Sequence, residues 1–179
     1  QRLFFDEKPQ AVYTTLRQLT QDIGDDFSEI TAMDYNCASE YSVEVLCRRG
    51  QTFAVLVYSS NPLSDKMITY TVLTKDQNFP IIEKLAQGIV EGFGLSYSIG
   101  MKIWVDSEGN ARLFDVIPHL LDDAMLCLHG GINLPELVIE MALREFDYNY
   151  SPTINWGLKM QRIWLELFSY EGDVWKSDL

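Results

Sequence analysis

The feature that most constrains this chain is a pair of runs rich in β-branched and aromatic residues, Tyr41–Cys47 (YSVEVLC) and Thr52–Tyr58 (TFAVLVY). Residues of this kind suit a pleated, half-buried surface. Only Arg48-Arg49-Gly50-Gln51 lies between the runs, and glycine supplies the positive φ that tight hairpin turns need. The two runs therefore predict an antiparallel hairpin, and a hairpin is stable only when other elements cover one of its faces.

The rest of the chain offers those elements. Val12, Leu16, Leu19 and Ile23 form one helical stripe in Ala11–Ile23, which ends at Gly24. Phe27–Tyr35 and Lys66–Thr74 read as further extended runs. Phe79–Phe93 reads as a helix with Ile82, Leu85, Ile89 and Phe93 on one face, closed by Gly94. Ser98–Val105 and Ala111–Ile117 flank Asp106-Ser107-Glu108-Gly109-Asn110, a second hairpin signal. Asn133–Phe146 has an Asn N-cap and a Pro in its first turn and is predicted helical. Trp156–Phe168 fits either helix or strand. Hairpins with helices set between them predict an α+β fold with a mainly antiparallel sheet and flanking helices. No internal repeat, low-complexity tract or Pro/Ser-rich linker interrupts it.

Charge and composition exclude several function classes. With 26 acidic and 14 basic residues among 179, the net charge is -12, which opposes a nucleic-acid or anionic-membrane partner. No apolar run approaches the length of a membrane span, and no signal-peptide pattern opens the sequence, so a cytoplasmic location is expected. Cys37, Cys47 and Cys127 are odd in number and lack CxxC spacing, which predicts reduced, buried thiols. His119 and His129 lack the spacing of a metal pair.

Two segments carry a more specific signal. One is MDYNCASEYSVEVL, from Met33 to Leu46, and the other runs from Gly100 to Leu143 and contains GINLPEL, Gly131–Leu137. Together, with the Phe79–Phe93 helix between them, they resemble the C-terminal half of an ATP-grasp ligase, nearest to the carbamoyl-phosphate-synthetase large-subunit-like branch. In that family the first segment reads like MEYLPGEEYSVDVL, and the second is a hairpin ending in Glu-x-Asn-Pro-Arg, followed by a GVNLPEL helix start. The resemblance covers residues 30 to 144. It implies a lead-in over 1–29, a nucleotide- and metal-binding subdomain over 30–146, and an extension over 147–179 packed on the same domain.

The resemblance implies ATP as cofactor and acyl-phosphate chemistry captured by an amine or ammonia. It places Asp34 and Tyr35 on the strand whose main chain meets adenine. Glu40 falls on the ribose-binding Glu, beside the alternative of an exposed strand-end carboxylate. Asp115 falls on the metal-bridging Glu and is one methylene shorter. The Mg²⁺ implied by the family is in doubt at the neighbouring positions. Ile117 replaces the Asn, His119 the Arg, and Leu120–Asp123 a small, glycine-rich stretch. Lys102 falls on or beside a metal-binding acid or amide, where an ammonium repels a dication or stands in for it as a fixed cation on phosphate. After the Thr52–Tyr58 strand the expected basic residue is replaced by Ser59 and Ser60, with Lys66 the nearest candidate.

The sequence begins at Gln1 and contains neither GxGxxG nor GxxxxGK[ST]. The resemblance therefore implies that the other half of the ATP site lies in a missing N-terminal part or a separate chain, or is absent. No catalytic residue is assigned. Asp25-Asp26 and Asp122-Asp123 read as solvated or capping acids, and Trp156 and Trp164 read as core ahead of the alternative of a binding surface with Leu158, Met160 and Ile163. Three readings remain open: part of an ATP-dependent carboxylate–amine ligase, a non-catalytic ATP-grasp module used for binding or scaffolding, or a small acidic α+β interaction domain.

Overall fold

In the computed structural model the residues described are 15–23, 38–62 and 69–162. The chain divides into two units, Gln1–Asn36 and Cys37–Leu179. In the first, helix α1 spans Leu16–Ile23, and its first turn includes a bond from the Gln18 amide to Thr15 Oγ1. The predicted start of that helix, residues 11–14, and the Phe27–Tyr35 run lie outside the described residues.

The second unit is built on a six-stranded sheet of order β5-β4-β1-β2-β3-β6 with every pairing antiparallel. The strands are β1 Ser39–Arg48, β2 Gln51–Pro62, β3 Thr69–Leu73, β4 Tyr97–Val105, β5 Ala111–Ile117 and β6 Lys159–Gln161. The predicted hairpin is β1–β2. Its turn puts Arg49 at φ 48° and Gly50 at φ 86°, consecutive left-handed residues that match the twist of the flanking strands. Helix α2 spans Phe79–Phe93 as expected and stops where Gly94 takes φ 61°. Helix α4 spans Leu134–Leu143, ending short of the expected Phe146 because Arg144 turns left-handed at φ 66°. Helix α3, Ala124–His129, has no counterpart in the sequence reading. The Trp156–Phe168 stretch resolves at its start into the short strand β6, with residues 163–168 outside the described part.

The period-2 alternation of β1 supplies both faces of the sheet. Tyr41, Val43, Val45 and Cys47 pack with Val55, Val57, Met101 and Ile103 under Phe79, Ile82, Ala86 and Val90 of α2. On the opposite face, Leu46, Ala54, Leu56, Tyr58 and Leu73 pack against α3, α4 and Phe146. Trp156 joins this arrangement through a T-shaped contact with Phe79, 5.2 Å between centroids, as its reading as core predicts. On the second face, α3 and α4 cover one end of the central strands. At the other end the strands carry polar side chains.

Candidate functional site

That polar end is organised by strand register. Ser42 of β1 lies opposite Lys102 of β4, and Lys102 lies opposite Asp115 of β5. One row along, Glu40 pairs with Trp104, which pairs with Arg112. Because side chains alternate across a strand, Glu40, Ser42 and Glu44 share one face. A register shift between Lys102 and Ile103 gives β5 an extra residue, Phe114. Bulges of this kind re-aim side chains, and here Phe114 stacks on Trp104 with centroids 4.3 Å apart and planes 16° apart.

Lys102 is half-buried and donates from Nζ to Ser42 Oγ at 2.6 Å. Asp115 is exposed, and its Oδ1 accepts the adjacent Val116 amide at 2.8 Å. The ion pairs among the described residues are Arg112–Asp106 at 3.7 Å and Arg162–Asp123 at 3.6 Å, so neither Lys102 nor Asp115 belongs to one. Glu40 is exposed at the start of β1. Asp34, Tyr35 and Lys66 lie outside the described residues. Among the described residues no three His, Cys, Asp or Glu side chains come together as a metal site. The single carboxylate of Asp115 faces an ammonium rather than a second acid, and Ile117 pairs with Gly100.

The row below is sealed. Glu44 is completely buried between Leu56 and Gly100, its register partners. Its Oε1 accepts from Ser98 Oγ at 2.5 Å and its Oε2 from the Leu121 amide at 3.0 Å. Burial pushes its carboxyl above the ordinary range, against the lowering effects of Ser98, the Leu121 amide and His119; Asp123 adds to the rise. Gly100 makes this closure possible, because a Cβ there would meet Leu121 Cδ2 at 2.6 Å. The segment after β5 is thus drawn onto the sheet beside Lys102. Beneath it Tyr58 Oη contacts Cys127 Sγ, and burial raises the Cys127 thiol to about 12. Cys47 is likewise free, buried and raised to about 11.

Sequence reasoning assigned Glu40, Lys102 and Asp115 but passed over Ser42, Glu44 and Ser98. The signal for the first two was present as Glu40-x-Ser42-x-Glu44, a polar alternation inside an apolar strand. Asp123 stands at the N-cap position of α3 without a side-chain cap bond and meets Arg162, while Asp122 contributes its carbonyl to the same guanidinium.

No family model matches the sequence, and no curated protein matches it. Solved structures do match by fold. An L-amino acid ligase from Bacillus licheniformis aligns with a TM-score of 0.51 at 16% identity, over 66% of this chain and 34% of its own. A biotin carboxylase from Campylobacter jejuni, in a β,γ-ATP complex, gives 0.52 at 14% identity, over 68% and 28%. A phosphoribosylaminoimidazole carboxylase ATPase subunit from Aquifex aeolicus gives 0.51 at 12%, over 70% and 38%. The chain spans about a third of the length of these proteins. Over the matched part it has the fold of ATP-grasp ligases, a mostly antiparallel sheet with flanking helices. Among the described residues no helix is long and apolar enough to cross a membrane.

Proposed function

We propose that the polar end of the β1–β4–β5 face binds the nucleotide of an ATP-dependent carboxylate–amine ligase. The chain would then be the C-terminal nucleotide-binding part of an ATP-grasp unit, completed by residues outside this sequence. The observation that carries this reading is the cross-strand row Ser42–Lys102–Asp115, with Glu40 beside it, on a sheet whose fold is that of ATP-grasp ligases. Glu40 takes the ribose hydroxyls and Lys102 faces phosphate. The carbamoyl-phosphate-synthetase-like branch is supported by the MDYNCASEYSVEVL and GINLPEL segments. The protein works in the cytoplasm.

The reaction class is carboxylate activation by the γ-phosphate, giving an acyl phosphate and ADP, then attack by an amine with release of phosphate. This chain's part is to hold the nucleotide, and none of its described residues is assigned to the reacting atoms. Mg²⁺ asks for hard oxygen ligands in near-octahedral array. Asp115 offers one carboxylate, already engaged with a backbone amide, opposite a cation. The described residues do not fit a resident Mg²⁺. The same observation favours a second reading, a non-catalytic ATP-grasp module that binds nucleotide as a scaffold or sensor.

Calorimetric titration of ATP into the chain tests the shared core of both readings. Saturable binding, weakened in Glu40→Ala, is expected; heats no larger than dilution would overturn it. ADP formation from ATP and a carboxylate, when the N-terminal half is supplied, separates ligase from scaffold.

A further inference from the structure

We propose that Lys102 and Ser42 form a metal-independent seat for the phosphoryl oxygens of a nucleotide polyphosphate, with the Lys102 ammonium as its fixed cation. The inference rests on the nucleotide-binding reading and assigns that site's mode of charge neutralisation.

An ammonium drawn half out of water loses hydration and ordinarily meets a carboxylate. Lys102 instead donates to a neutral hydroxyl, Ser42 Oγ, at 2.6 Å. An ammonium has three donors, so two remain for a ligand. None of the described acids forms an ion pair with it. Asp115, directly opposite, accepts from the Val116 amide, and Glu44, two residues along β1 from Ser42, is sealed beneath Leu121 with both oxygens taken. Asp106 holds Arg112 and Asp123 holds Arg162. Lys102 therefore has no ion-pair partner among the described residues, and two of its donors are open to an anion from outside.

Position also argues for a ligand. Lys102 stands on an interior strand, with β4 between β1 and β5, so strands flank it on both sides. On a chain of net charge -12 the general surface repels polyanions, so one must be recognised by a local uncompensated cation. A divalent ion in the same place would face that ammonium at close range and be repelled.

The test titrates sodium tripolyphosphate and ATP separately into the full chain, first in EDTA and then with excess MgCl₂. The wild type is compared with Lys102→Met, Lys102→Gln, Lys102→Arg and Ser42→Ala, each checked for native melting. Two neutral replacements are used so that misfolding of one does not decide the result. Both ligands are expected to bind in EDTA, without gain from Mg²⁺. The neutral variants should bind both roughly 10- to 100-fold more weakly, the cost of a lost charged hydrogen bond, while Lys102→Arg recovers most of the affinity. Binding that appears only with Mg²⁺ and is indifferent to Lys102 overturns the seat and leaves the nucleotide reading standing. Lys102-dependent tripolyphosphate binding with ATP no tighter overturns the nucleotide reading and leaves the seat. Citrate displacing tripolyphosphate at equal concentration overturns phosphate as the ligand class.

Discussion

Glu44 is the residue whose replacement says most about how the site is held. Its carboxyl joins two elements, accepting Ser98 Oγ from β4 and the Leu121 amide from the segment after β5. Glu44→Ala removes both acceptors, leaves two donors in a buried place and opens a void. A hydrogen bond to a charged group contributes about 1.5–3 kcal/mol and a stranded donor costs about 1–3 kcal/mol, so a loss of roughly 3–5 kcal/mol is expected. Against a typical stability of about 5–15 kcal/mol this is large. Glu44→Gln keeps one acceptor and no charge, and its effect should depend on pH. Burial raises the folded-state carboxyl above its ordinary 4.5. A raised carboxyl contributes stability that is fully present below the unfolded value and is lost as pH rises through the folded one. The wild type should therefore lose stability relative to Glu44→Gln from pH 4.5 upward, and the gap should level off once Glu44 is ionised. Urea unfolding followed by circular dichroism at pH 4.5, 6 and 8 measures this. A gap independent of pH, or a Glu44→Ala cost under about 1 kcal/mol, would refute the reasoning.

Three further outcomes follow from the same structure. Gly131 sits at φ 102° with a would-be Cβ 2.7 Å from the Thr153 carbonyl oxygen, so Gly131→Ala should lower stability by at least roughly 1–3 kcal/mol in denaturant unfolding. Asn133 caps α4, accepting the Glu136 amide at 3.4 Å and donating to its carboxylate at 2.8 Å; Asn133→Ala should cost about 0.5–2 kcal/mol in the same assay. Cys47 and Cys127, raised to about 11 and about 12, should react with a thiol reagent at pH 8 only as fast as the protein opens, and at once in urea.

The hairpins and α2 were legible because their signals are local. β-branched alternation, a glycine at a left-handed turn and a glycine cap each fix a few residues without help from distant ones. Helix α3 was hidden because six residues, Ala124–His129, are too few to show periodicity. Its position follows from tertiary packing of Leu126 and Cys127 on the sheet. Among the site residues, Lys102 and Asp115 were paired by resemblance, and the register places them opposite each other. The burial of Glu44 could not be read, since it depends on Leu121 folding back over Gly100 from a segment with no regular pattern.

The central claim is that the polar end of the β1–β4–β5 face is a nucleotide site, and a crystal structure of the chain grown with ATP in EDTA tests it most directly. The account predicts the ribose against Glu40 and the phosphates against Lys102 and Ser42. Nucleotide bound instead on the α2 side of the sheet, or phosphates away from Lys102, would contradict it.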